Sequence, residues 1–158
     1  DPLRYYCLAK TPPFTDGDFS EEKFIEAYNS DLANGLGNLV ARVAKLAERV
    51  NIQYSIFNIQ YPDNRFKDIK NLLDKFRFDE ALKTIWGWIS ELDQQIEKDQ
   101  PWKLEGKDLE QILAGYRENI LKIATALQPF LTQTAEKVLK QFSGPEIKSE
   151  SPLFPRIK

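Results

Sequence analysis

The chain has 158 residues, 42% of them hydrophobic and 12% aromatic, which suits one domain with a real core and excludes a disordered polymer. Lys and Arg number 22 against 24 Asp and Glu, so the net charge of −2 excludes a wholesale basic coat for nucleic acid but leaves room for a local basic stripe. The single cysteine, Cys7, excludes an intrachain disulfide and suits a reducing, cytoplasmic setting, while the absence of histidine removes His-based acid–base catalysis, His metal ligands and a Ser-His-Asp triad.

In chain order, Asp1 and Pro2 suit the start of a short helix over residues 1–8, as a cap and a first helical residue. Pro12, Pro13, Asp16 and Gly17 mark a loop. Ser20 followed by Glu21 and Glu22 predicts a helix start, with acids at the positive end of the dipole. Phe24 to Val50 is helical in pattern, weakened locally by Gly35 and Gly37. Residues 51–62 include alternation and end on the turn signal Tyr61-Pro62-Asp63-Asn64. Helices follow over Arg65–Phe76, Phe78–Glu97, Asp108–Leu127 and Thr132–Phe142; Pro101 closes the second by pushing Gln100 out of the helical region. The last stretch, 143–158, has three prolines and no helical period. The sum is an all-α bundle of about five helices. No apolar run approaches the ~20 residues that span a bilayer, and no signal-peptide layout opens the chain, so no membrane partner is expected. With no methionine present, Asp1 is read as an internal residue of a longer protein.

Placing residues at about 100° intervals sorts the 36–50 stretch into two faces. Leu36, Leu39, Val43, Leu46, Ala47 and Val50 share an apolar sector. Asn38, Arg42, Lys45 and Arg49 share a narrow polar stripe opposite it. Asn offers an amide that both donates and accepts, and Arg a planar fork for a base or phosphate; spacing of four sets Asn38 beside Arg42. Such a stripe also suits a plain solvated face. Trp102 follows Pro101, after the long helix has stopped. An exposed indole there can stack on an unpaired base, worth ~1–3 kcal/mol, or it can close the end of the bundle. Trp86 and Trp88, within that helix, read as core.

Other chemistry is poorly supported. Gly35-Leu36-Gly37 lacks the third glycine of a dinucleotide fingerprint, since Val40 sits there, and no strand precedes it; helix packing accounts for it better. Asp16 with Asp18, Glu21 with Glu22, and Asp93 with Glu97 are carboxylate pairs that solvated helix faces explain, and no metal-ligand set is present.

Several segments together carry a resemblance. Asp1-Pro2-Leu3-Arg4-Tyr5-Tyr6 resembles the D-A-L-R-Y-Y segment of class I aminoacyl-tRNA synthetases. Asp18-Phe19-Ser20 and the run from Tyr28-Asn29-Ser30-Asp31-Leu32-Ala33-Asn34 through Gly35-Leu36-Gly37-Asn38-Leu39-Val40-Ala41-Arg42 resemble the methionyl-tRNA synthetase family in particular. Pro101-Trp102-Lys103-Leu104, Leu127-Gln128-Pro129-Phe130 through Thr134-Ala135, and Pro152-Leu153-Phe154-Pro155-Arg156 are similar to later segments of that family, in the same order.

The resemblance implies the α-helical anticodon-binding domain over residues 20–142, the end of a stem-contact region over 1–19, and a closing C-terminal peptide over 143–158. It implies methionine tRNA as partner, bound by its anticodon loop. Asn38 and Arg42 match positions that hydrogen-bond anticodon bases, and Trp102 matches the indole on which the first anticodon base, a cytosine, stacks. Lys45 and Arg49 lie outside the matched motifs; as phosphate contacts they follow from the stripe alone. The family's catalytic domain, a partner in cis that uses ATP and Mg, would precede residue 1, so no cofactor and no catalysis are expected of this chain alone. Asp93 and Gln95 stand where the family usually has Asn and Tyr. A helical protein-interaction module, or the anticodon domain of another class I synthetase, are the rival readings; the Asn38 to Arg42 spacing together with Pro101-Trp102 argues against the second.

Overall fold

A proline at its first position and a lysine in its last turn suit α1 (Pro2–Lys10) to helix geometry and dipole. Asp1 occupies the capping position, yet its carboxylate makes no bond to α1. It accepts instead from the Thr134 backbone N–H at 2.7 Å and the Thr134 hydroxyl at 2.9 Å. The start of α7 (Thr132–Ser143) lies beside it with Leu131, which has no side-chain oxygen, at its cap. The acid at the head of the chain therefore serves the last helix. The computed structural model describes residues 1–11, 13–14, 16–50 and 64–158, so the alternation expected over 51–62, its turn residues through Asp63, and Pro12 of the first loop lie outside the described residues.

Ser20 caps α2 (Glu21–Ala27) as its sequence predicts, its hydroxyl accepting from the Lys23 N–H at 3.2 Å. The chain then stays helical to Ala47, but its middle is wound differently. Tyr28–Gly37 forms a π-helical stretch, and the Asn38 N–H reaches back five residues to the Ala33 carbonyl before α3 (Asn38–Ala47) resumes ordinary winding. The irregularity expected at Gly35 and Gly37 thus begins at Tyr28.

The other elements are α4 (Asn64–Asp74), α5 (Phe78–Asp99), a 3₁₀ turn (Pro101–Lys103) and α6 (Gly106–Leu127). Gly106 opens α6 at φ +57°, a conformation that glycine adopts without strain. α6 packs against α3, α5 and α7, and α5 packs against α1, α4 and α6. The rod from α2 to α3 with α4, α5, α6 and α7 makes the five expected bundle members, and α1 lies on α5 beside them. The predicted faces meet in the core: Leu39 and Val43 from α3, Ile85 and Ile96 from α5, Leu113 and Ile120 from α6 are buried. Truncating any of these leucines to Ala would cost about 2–5 kcal/mol.

Arg117 is buried within this core, where an arginine survives only if its donors are satisfied. Its Nε donates to the Phe142 carbonyl at 2.7 Å, so its charge sits at the negative end of α7. After Ser143 the chain turns back, and Ile147 and Phe154 are buried against the bundle.

Candidate nucleic-acid interface

Asn38 opens α3 on its exposed side, and Lys45 and Arg49 are exposed further along; neither of these two cations has an ion pair among the described residues. Arg42 differs. It is half-buried, and its guanidinium reaches across to α5, donating through Nη1 to Asp93 at 3.2 Å and through Nη2 to Glu97. The Asp93 and Glu97 pair expected to be merely solvated is thus the counter-charge of the stripe. Burial lifts the Asp93 carboxyl above its ordinary value; Arg42 pulls it down and neighbouring Glu97 pushes it up.

Trp102 sits just past the same end of α5. Gln100 takes a left-handed conformation (φ 47°, ψ 55°), which breaks the helix, and Pro101 begins the 3₁₀ turn that carries the indole. Asp99, two residues after Glu97, is anchored: the Tyr116 hydroxyl of α6 donates to its Oδ2 at 2.9 Å. Burial, then the bonded Asp99, raises the Tyr116 hydroxyl well above its ordinary pKa, so this donor stays protonated at any working pH. At ~1.5 Å of rise per residue, the carboxylates that hold Arg42 and the turn that holds Trp102 fall within a few turns of one helix. Trp102 is 45% exposed, so much of its surface faces solvent.

Beside this end lies an open groove of about 430 Å³ between the π-wound stretch and α5, lined by Gly35, Trp86, Ile89, Ser90, Asp93, Gln94 and Glu97. Trp86, expected in the core, is only half-buried, and its indole N–H has no hydrogen-bond partner among the described residues. A Cβ added to Gly35 would come to 3.7 Å from that nitrogen. Trp88 is buried, as expected. Among the described residues no group of three or more Cys, Asp or Glu could hold a metal ion.

Residue types alone do not reveal the supporting cast. Tyr116 counts as an apolar position by periodicity, yet its hydroxyl fixes the end of α5. The spacing of four between Asp93 and Glu97 is visible in the sequence; that α3 presents an arginine to it is a tertiary fact. Together the parts offer a guanidinium with exchangeable partners, an exposed amide, two cations with no ion pair among the described residues, and a stacking ring. That set suits a single-stranded, anionic, planar-ringed ligand.

Comparison with known proteins adds the relationship. Residues 1–44 match the family model for tRNA synthetases class I (M). The methionine–tRNA ligase of Clostridium acetobutylicum is 37% identical over 90% of this chain and 24% of its own length. That of Listeria monocytogenes is 29% identical over 99% of this chain and 29% of its own. The chain therefore spans 24–29% of the length of these relatives. The apo crystal structure of Mycobacterium tuberculosis methionyl-tRNA synthetase shares the fold, with a TM-score of 0.83 at 22% identity over 99% of this chain and 39% of that one.

Proposed function

Since this chain is a relative of the class I methionine–tRNA ligases along its length, we propose that it is the anticodon-binding module of such a ligase. On this reading residues 1–19 end a stem-contact region, 20–142 form the module and 143–158 close it. The anticodon loop of methionine tRNA lies along the outer end of α5. Its first base stacks on Trp102, Asn38 and Arg42 hydrogen-bond base edges, and Lys45 and Arg49 face phosphates. The observation that carries this is the half-exposed Trp102 ring just past the α5 carboxylates that hold Arg42. An unpaired loop exposes the base edges that an A-form duplex hides.

The reaction that joins methionine to tRNA belongs to the longer parent, whose catalytic domain is the partner in cis. There ATP and Mg supply the activation of methionine, and we assign them no site on this chain. The setting is cytoplasmic. Among the described residues no helix is long and apolar enough to cross a membrane.

A titration decides the matter. An RNA stem-loop bearing a methionine anticodon is expected to bind more tightly than one whose first anticodon base is changed from cytosine. Binding should be modest and salt-sensitive, because few phosphates are neutralised. Equal binding of both loops removes the recognition reading. Methionine-dependent ATP–pyrophosphate exchange by this chain alone is expected to be absent.

A further inference from the structure

Ten residues of π-helix are unusual, since this winding ordinarily occurs as single-turn bulges. A rarely populated backbone persists only where the surroundings over-determine it. Here α1 holds the middle of the stretch at Asp31, and residues 154–157 hold it towards both ends. Phe154 is buried edge-on against Tyr28, with ring centroids 6.0 Å apart, and lies 3.6 Å from where a Cβ on Gly37 would stand. The Tyr28 hydroxyl donates to the Pro155 carbonyl at 2.8 Å. Asn29 exchanges two bonds with the backbone of Ile157: its Nδ2 donates to the carbonyl at 2.9 Å, and its Oδ1 accepts from the N–H at 3.1 Å. Arg156 donates to the Asn34 Oδ1 through Nε at 3.1 Å and Nη2 at 2.6 Å. The residues gripped run from Tyr28, the first of the π-wound stretch, to Gly37, its last. The residue after Gly37 is Asn38.

We propose that Phe154, Pro155, Arg156 and Ile157 are positioning residues for base readout: they hold Tyr28–Gly37 in its wider winding and thereby set the rotation at which α3 presents Asn38 and Arg42. This rests on the anticodon reading above. Released from the clamp, the stretch is free to relax toward ordinary i→i+4 bonding. That would turn Asn38 and Arg42 about the rod axis relative to α5, which holds Trp102's turn. None of the four residues lies among the proposed base contacts, so their effect is on discrimination and not on general affinity for RNA.

The test uses this chain with Asn29→Ala and Arg156→Ala combined, Arg156→Lys as the conservative variant, and the two stem-loops named above. The combined variant is expected to stay folded and to bind the changed loop as before. Its preference for the methionine loop should fall about tenfold, the scale of losing a few hydrogen bonds, while Arg156→Lys keeps most of it. Backbone amides of residues 33–38 should exchange with solvent about tenfold faster. If the combined variant melts below the assay temperature, Asn34→Ala, which removes only the receiving amide on the rod, carries the same expectation. Unchanged preference overturns the proposal whether or not exchange accelerates, because a clamp of purely structural importance would move exchange alone. A lack of preference in the unsubstituted chain overturns the anticodon reading itself, and this inference with it.

Discussion

Two ion-pair knots on the α2–α3 rod look alike and are built oppositely. Asp31, in the π-wound stretch, is one carboxylate receiving three donors: the Tyr5 hydroxyl at 2.8 Å, Lys10 Nζ at 2.8 Å and the Ser30 hydroxyl at 2.9 Å. Its side chain is only 20% exposed. Arg42, in α3, is one guanidinium shared between two carboxylates, of which Glu97 is 62% exposed. Asp31 has nearly filled its acceptor sites, whereas two bonds do not exhaust the five donors of Arg42. The first knot fastens α1 to the rod. The second keeps donors to spare and a partner already facing water, which is what exchange with a ligand needs. Stoichiometry and exposure, more than the presence of charge, separate a structural pair from a usable one.

The largest effect should come from breaking the first knot. Burial alone would raise the Asp31 carboxyl, but bonds from Lys10, Tyr5 and Ser30 outweigh it and hold it below the ordinary carboxylate value. A depressed carboxyl contributes stability that is present above its unfolded pKa and lost as pH falls through the lower, folded value. Asp31→Ala is therefore expected to cost about 2–3 kcal/mol at neutral pH, or roughly 5–10 °C in Tm. The loss should shrink as the pH falls below ~4, where the unfolded carboxyl takes up its proton, and vanish once the native carboxyl is protonated as well. Melts followed by circular dichroism from pH 3 to 7 would show this. A pH-independent deficit would mean that the charge of Asp31 is not what holds α1.

The second region should answer in binding and not in stability. Trp102→Ala is expected to weaken the methionine stem-loop roughly 5- to 100-fold, the worth of one stacked base, while Tm moves by no more than about 3 °C. Arg42→Ala should weaken it about tenfold, and leaves Asp93 and Glu97 without their common cation. A large fall in Tm from either, without a binding defect in the folded fraction, would return that residue to the structural class.

Much of the fold was legible because the apolar positions of α5 and α6 repeat at helical spacing without interruption, so Ile85, Ile89, Leu92 and Leu113, Tyr116, Ile120 face inward as the pattern demands. The caps were legible where the partner is local, as at Ser20, and not where it is distant, as with Asp1, which bonds Thr134. The π winding left no periodic trace beyond two glycines, and residues 154–157, which grip it, stand more than a hundred positions on. At the candidate site, the stripe and the exposed tryptophan could be read directly. The carboxylates behind Arg42 and the tyrosine behind Asp99 could not, because both depend on which helices become neighbours.

The smallest effect is also the sharpest test of the contrast. Asp93 is the inverse of Asp31: burial raises its carboxyl, the Arg42 guanidinium pulls it only part of the way back, and the nearby Glu97 pushes it up again. A raised carboxyl means that the folded state takes up a proton more readily than the unfolded chain, so the ionised form detracts from stability at neutral pH. Asp93→Asn keeps an oxygen for Arg42 and removes the charge; Asn is also the residue that the resemblance places there. The variant should hold its Tm within about 2 °C, upward if anything. It should bind the anionic loop about two- to fivefold more tightly at low salt, with the gain fading above ~0.15 M as screening sets in. A fall in Tm comparable to that of Asp31→Ala would make Asp93 a structural acceptor. The two knots would then be of one kind, and Arg42 would have no spare capacity to offer a base.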